Sequence, residues 1–390
     1  QRFTGLIWGE RADTALLQEY DENRHWRKAF VINADDPKAT PRLLWDLSQK
    51  DRYKHPGSPV YRQSADGGWL MRQDGDAIYL QGAGASPDGD RPFLDKLDLK
   101  TLRSQRLFRS DAKSYERFVA FTGSDDSRFL TWHQSPTDAP NAWLRTRASA
   151  VTAAAAGEAA YNTDRVAVTR LADPTPAVRA IQKRLVKYKR ADGLDLSFTL
   201  YTPPGYQPGT RVPTILYAYP LDYADAASAA QVAGSQATFT RLRQYQLLLL
   251  AGYAIIDRAS FPIIGDPKRA YDTYLEQLVA DAQAAVDEAV RLGVADPDRV
   301  GVTGHSHGAL MTVNLLAHSK LFRAGVATSG SYNKTLTPFG FQSERRSVWE
   351  APEVYTKASP FFFADKIKAP LLIMHGADDA NPGTTPLQAT

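Results

Sequence analysis

Arg299-Val300-Gly301-Val302-Thr303-Gly304-His305-Ser306-His307-Gly308-Ala309-Leu310-Met311-Thr312-Val313-Asn314-Leu315-Leu316-Ala317-His318 is the stretch on which the reading of this chain turns. Residues 299–303 are a short apolar run that predicts a buried strand, and residues 309–318 have the length and composition of a helix. Between them stands Gly-x-Ser-x-Gly. A strand that turns straight into a helix at a serine holds that serine in a strained backbone and exposes its Oγ. The same turn aims the helix N-terminus and the next backbone N–H at any oxyanion that develops there. Gly304 and Gly308 are expected where strand and helix cross too closely for a side chain. The alternative is a glycine-rich turn with an incidental serine, which the flanking strand and helix disfavour.

A nucleophile elbow of this kind belongs to α/β-hydrolases, which supply their acid and base further along in the order Ser, Asp or Glu, His. Lys368-Ala369-Pro370-Leu371-Leu372-Ile373-Met374-His375-Gly376 predicts a core strand ending in a turn, with Asp378 and Asp379 just beyond it. No histidine follows. The seven histidines are His25, His55, His133, His305, His307, His318 and His375, and residue 390 is Thr. The pattern therefore contains a nucleophile and an acid but no general base in the expected place.

Outward from the elbow, alternating strands and helices predict a doubly wound, mostly parallel sheet over residues 183–390. Leu185–Lys189 and Leu194–Tyr201 read as a hairpin turned by Arg190-Ala191-Asp192-Gly193. Val212–Tyr219 reads as an apolar strand, and residues 238–250 and 270–292 as helices. The second helix carries Leu275, Leu278, Val279, Ala282, Ala285, Val286, Ala289 and Val290 on one face, with Gly293 ending it.

Residues 1–182 have another texture, with short apolar-aromatic runs between polar turns. Residues 3–8, 14–20, 26–32 and 41–47 form one group of four strand-like runs. Residues 60–62, 69–72, 77–81 and 93–97 form a second, and residues 117–122, 128–134, 142–146 and 165–170 a third. Four short strands per unit without a helical period describe propeller blades. Trp8, Trp26, Trp45, Trp69, Trp132 and Trp143 all lie in this half and are expected to pack between blades rather than stack on a ligand. A propeller needs at least about four blades, so further blades are expected before Gln1. The Ala-rich residues 148–160 read as a surface loop or a marginal helix.

Bulk properties exclude several classes. The net charge of +4 is small for 390 residues, and no Lys/Arg block is long enough to argue for nucleic acid. The densest basic stretch, Lys183 to Arg190, interleaves apolar residues and reads as a strand with one wet face. Cysteine is absent, which removes disulfides, thiolate metal sites and a cysteine nucleophile. No stretch approaches the roughly 20 apolar residues of a membrane span. No metal or nucleotide motif is present: Asp74 and Asp76, and Asp88 and Asp90, flank glycines as blade turns do. With neither an initiating Met nor a signal-peptide pattern, the chain reads as a mature or excised fragment.

Together the two halves resemble the prolyl oligopeptidase family of serine peptidases, a propeller followed by an α/β-hydrolase. Phe261-Pro262-Ile263-Ile264-Gly265, Thr335-Leu336-Thr337-Pro338-Phe339-Gly340-Phe341-Gln342 and His375-Gly376-Ala377-Asp378-Asp379-Ala380-Asn381-Pro382-Gly383-Thr384 resemble its glutamyl endopeptidase branch, as do the Gly-His-Ser-x-Gly elbow and Gly57-Ser58-Pro59. The resemblance implies that Ser306 is the nucleophile. It implies Asp379 as the acid, from the pattern His-Gly-x-x-Asp-x-Asn, with Asp378 the competing candidate. It implies an oxyanion hole of the His307 N–H and a tyrosine hydroxyl, either Tyr217 or Tyr219, with Tyr219 preferred. The family's base lies past the acid, beyond Thr390, so the sheet's last strand and helix are also expected to be missing. His307 stands where the family more often has Tyr and leaves the elbow in the wrong direction to be the base.

Also implied are peptide or polypeptide substrates, no cofactor, and Glu at the cleaved bond, which calls for a cation; Arg258, Lys268, Arg269, Arg345 and Arg346 are loop candidates. Bacterial members of this branch are often exported, a lean toward the periplasm. A carboxylesterase of the same fold shares the triad and elbow, and a propeller fused to a base-less hydrolase suits a binding module.

Overall fold

The computed structural model describes residues 2–147 and 164–390. The Ala-rich stretch 148–160 lies outside the described residues. Two compact units are present. The first is Gln1–Pro176 with Val232–Thr240, and the second is Ala177–Gln231 with Arg241–Thr390.

The first unit is built of β-propeller blades. Arg2–Trp8, Thr14–Asp21, Trp26–Asn33 and Arg42–Ser48 pair in chain order as an antiparallel meander. Tyr115–Phe121, Arg128–Gln134, Asn141–Thr146 and Asp164–Ala167 form another. The middle sheet departs from the sequence expectation. Its order is Ser104–Arg109, Phe93–Asp98, Ala77–Gly82, Ser58–Pro59. Residues 60–62 and 69–72 read as two of its strands, but Tyr61–Gln63 and Trp69–Met71 instead form a separate hairpin, with Tyr61 opposite Met71. The strand at 104–109 was not anticipated, because Ser104-Gln105-Arg106 opens it with polar residues.

The tryptophans correct a second expectation. One apolar cluster joins Tyr79, Leu94 and Phe108 of the middle sheet to Phe118 and Phe129 of the last. Another joins Leu16 of the first sheet to Ile78, Leu80 and Leu97 of the middle one, with Trp45 against it. Trp8 and Trp69 are exposed, and Trp143 lies beside Arg165 and His133. Phe and Leu positions of the inner strands therefore supply residues to both clusters between sheets, and Trp45 packs against one of them.

The second unit is an α/β-hydrolase. Its seven-stranded sheet runs Gln182–Lys189, Asp195–Thr202, Ala254–Ala259, Val212–Ala218, Ala295–His305, Ala324–Thr328, Leu371–Met374. The first two junctions are antiparallel and the remaining four parallel. Gln182–Lys189, the basic stretch, alternates between buried and open positions toward its end, as an edge strand with one wet face should. Parallel strands need crossover helices, and Tyr274–Arg291 and His307–His318 provide them. The first buries Leu278, Ala282, Ala285, Val286 and Ala289, and Gly293 follows it at φ +72°. Its buried face also contains Asp281, which accepts a 2.8 Å hydrogen bond from Arg190 of the hairpin turn.

The helix expected over 238–250 is not formed as one element. Val232–Thr240 belongs to the first unit, where the Val232 N–H donates to the Tyr53 hydroxyl at 2.8 Å and the Phe239 N–H to the Gln134 side chain at 3.0 Å. Only Gln244–Ala251 turns, as a 3₁₀ helix with Leu247, Leu248 and Leu250 exposed. A run of leucines without polar spacing has no face to bury, so helical periodicity was absent from the start.

Candidate active site

The parallel strands bring four loops to one edge of the sheet, where their carboxyl ends lie. These are the turn after Val212–Ala218, the elbow after Ala295–His305, the segment after Ala324–Thr328 and the loop after Leu371–Met374. Open α/β sheets bind ligands at this edge.

Ser306 sits between its strand and helix at φ +57°, ψ −118°. A non-glycine residue at positive φ is strained, and such strain persists only where the surroundings enforce it. Two enforcements are visible. The Ser306 N–H donates to the Thr328 carbonyl at 3.0 Å, tying the elbow to the neighbouring strand. Gly304 and Gly308 allow a backbone approach that no side chain would permit. A Cβ on Gly304 would stand 2.1 Å from the Gly308 carbonyl oxygen, and one on Gly308 would stand 2.7 Å from that of Ala218.

His307 begins the helix, so its N–H is one of the four that no helical carbonyl can accept. Its ring turns inward and is 2% exposed. It lies among Tyr219, Tyr271 and Tyr274, with centroids 5.9, 6.2 and 5.5 Å away. Burial drives its pKa down to about 3, and the nearby Lys334 charge acts in the same direction.

The two tyrosines after the neighbouring strand are placed differently. Tyr217 stacks on Tyr245 with ring centroids 4.4 Å apart. Tyr219 is 38% exposed, edge-on to His307, with its Cδ2 atom 3.8 Å from where a Cβ on Gly308 would lie.

The two candidate acids also differ. Asp378 is exposed. Asp379 is held: its Oδ1 accepts from the Asn381 N–H at 3.0 Å and its Oδ2 from the Thr384 hydroxyl at 3.0 Å. The Asn381 N–H, followed by the Thr384 hydroxyl, keeps this carboxyl below the usual aspartate range. The His375 ring pairs through Nε2 with the Thr384 carbonyl at 2.6 Å and closes the loop on itself.

A cavity of about 460 Å³ opens beside Ser306, lined also by Lys334, Phe341, Asn381 and Thr384. None of the five loop cations anticipated from the sequence lines it. Arg346 is engaged by Glu344 and Asp272 at 2.7 and 2.6 Å, and Arg269 by Asp272 at 2.8 Å. The cation at the cavity is Lys334, which sequence reasoning passed over; the recognised string Thr335–Gln342 begins one residue after it. Among the described residues no group of three or more His, Asp or Glu could hold a metal ion, and no helix is long and apolar enough to cross a membrane.

Comparison with known proteins places these features in context. Residues 268–387 match the prolyl oligopeptidase family. The whole chain is 38% identical over 408 residues to a protein of Oryza sativa subsp. japonica described as "Probable glutamyl endopeptidase, chloroplastic", covering 42% of it. An Arabidopsis thaliana protein of the same description is 37% identical over 411 residues, with 41% of its length covered. The chain thus spans about two fifths of the length of these relatives. Porphyromonas gingivalis dipeptidyl peptidase 4 shares the fold at 16% identity and a TM-score of 0.58, over 98% of this chain and 56% of that one.

Proposed function

From the match of residues 268–387 to the prolyl oligopeptidase family and the likeness of the whole chain to the two plant proteins, we propose that the chain forms the catalytic part of a serine peptidase of that family that cleaves peptide bonds after glutamate. The strained backbone of Ser306, at φ +57° on the turn between strand and helix, is the observation that carries the reading. Ser306 Oγ attacks the scissile carbonyl and forms an acyl-enzyme, releasing the amine; water then releases the acid. The His307 N–H and the Tyr219 hydroxyl hold the oxyanion. Tyr219 is preferred over Tyr217 because it is open and beside the elbow, whereas the Tyr217 ring is stacked against Tyr245.

Asp379 orients the imidazole that takes the serine proton and stabilises its charged form. Its fixed, ionised carboxylate supports that role over exposed Asp378. His307 is unsuited to be the base, since its ring is buried away from the elbow and neutral. On this reading the base is a histidine from outside these 390 residues: His375, whose Nε2 lies 3.5 Å from Asp379 Oδ2, is engaged by the Thr384 carbonyl at 2.6 Å. The glutamate preference is drawn from the two plant relatives described as probable glutamyl endopeptidases.

Fluorophosphonate labelling read by mass on the Ser306 peptide tests the proposal. The full-length protein should label at Ser306 and the 390-residue chain should not. Labelling of the 390-residue chain would overturn the external base, and absence of labelling in both would overturn the peptidase reading.

A further inference from the structure

Lys334 is 3% exposed, yet it lines the cavity at Ser306. Its backbone is fixed on several sides. The Lys334 N–H donates to the Ser359 hydroxyl at 2.7 Å, and the preceding N–H groups of Tyr332 and Asn333 both donate to Gln388 Oε1 at 2.9 Å. The Asn333 side chain caps the single 3₁₀ turn Lys334–Leu336. The ammonium therefore stands at a set place rather than at the end of a loose surface chain.

Its own hydrogen bonding is incomplete. An ammonium has three donors. Nζ donates to the Ser331 hydroxyl at 3.0 Å and lies 4.9 Å from the centroid of the Phe341 ring. Among the described residues no carboxylate forms an ion pair with it. Burial pushes its pKa down to about 8, with no acidic neighbour offsetting that cost. A buried charge is costly unless it is paired and hydrogen-bonded. By contrast, Arg346 and Arg269 are both neutralised by acids of this chain.

A cation kept unpaired in a cavity that also contains the nucleophile is suited to an anion that arrives with the substrate. We propose that the Lys334 ammonium binds the side-chain carboxylate of the residue whose carbonyl Ser306 attacks, and so selects glutamate at the cleaved bond. The Ser331 hydroxyl holds the ammonium in position, and Phe341 forms an apolar wall that strengthens the ion pair by excluding water. This inference rests on the serine-peptidase reading of the same cavity.

The test separates the two. In the full-length protein carrying Ser306→Ala, binding of Ac-Ala-Ala-Glu-Ala-Ala-NH2 and its Gln counterpart is measured by calorimetry, without turnover. The Glu peptide should bind about 10–100-fold more tightly, the range expected of a charge-assisted hydrogen bond. Adding Lys334→Met, or Lys334→Gln as a second neutral replacement, should bring the ratio to within about 3-fold, with no drop in Tm because an unpaired buried charge is removed. A ratio that survives both replacements overturns the proposal, as does the lack of any Glu preference. Fluorophosphonate labelling of Ser306 is read in parallel. Its absence from the otherwise native protein is a failure of the peptidase reading alone, leaving the binding ratio to decide on Lys334. Its loss only in the Lys334 variants assigns the ammonium to proton transfer and overturns a purely recognition role.

Discussion

Gly304 and Gly308 meet backbone to backbone: a Cβ on the first would lie 2.1 Å from the carbonyl oxygen of the second. That approach lets the strand reverse into the helix within one residue, and Ser306 occupies the turn. The obstruction is main chain, so no side-chain rotation relieves it. Gly304→Ala should lose about 1–3 kcal/mol of stability from overpacking. It should also abolish fluorophosphonate labelling at Ser306, because relief of the clash moves the elbow. Chemical denaturation and labelling on one preparation check both; native stability with full labelling would show that the crossing is looser than described.

The buried ring of His307 makes stability depend on acid pH. Its pKa is about 3 in the folded protein, against the ordinary 6.5. Between those values the unfolded chain binds the proton and the folded chain does not. Stability is therefore complete above about pH 6.5 and falls as pH drops toward 3, by about 1.4 kcal/mol per pH unit. The charged groups acting on the ring are Lys334, which opposes its protonation, and Asp222, which favours it; Tyr271 and Tyr274 face it as neutral phenols. His307→Tyr should flatten this part of the acid limb. Urea midpoints from pH 7 to pH 4 measure it, and an unchanged slope in the variant would assign the acid lability elsewhere.

Asp378 and Asp379 are adjacent, and only the second is tied to the Asn381 N–H and the Thr384 hydroxyl. On the proposed mechanism Asp379→Asn lowers kcat by about 10⁴-fold, the loss seen when a triad imidazole is held in the wrong tautomer. Asp378→Asn changes kcat by less than about 3-fold, as an exposed side chain should. Steady-state kinetics of the full-length protein discriminate, and the reverse ranking would exchange the two assignments.

The tyrosine pair is resolved in the same way. Tyr219→Phe should reduce kcat by about 10²–10³-fold with a smaller change in KM, the signature of a lost oxyanion donor. Tyr217→Phe leaves the stacked ring on Tyr245 in place and should preserve kcat within a few fold. A large kcat loss in Tyr217→Phe alone would move the oxyanion donor to that residue.

The sequence alone determined the kind of fold and the turn at its centre. Strand, Gly-x-Ser-x-Gly and helix are contiguous in residues 299–318, and local pattern suffices where every contact is between near neighbours. The same holds for the four-strand groups at residues 2–48 and 115–167, whose strands pair in chain order. The second blade was misassigned because residues 60–72 look like strands, and which sheet a strand joins depends on partners distant in the chain. The helix expected over 238–250 failed for the same reason, since the Phe239 N–H of that stretch is held by the distant Gln134 side chain. The choice between Asp378 and Asp379, or between Tyr217 and Tyr219, lies in which way a loop side chain turns, and no periodicity encodes that. Lys334 is the fullest case. In sequence it is one of 47 basic residues. Only tertiary packing removes it from water, leaves it without an acid and places it in the cavity of Ser306, because burial and pairing of a charge are properties of its neighbours rather than of its type.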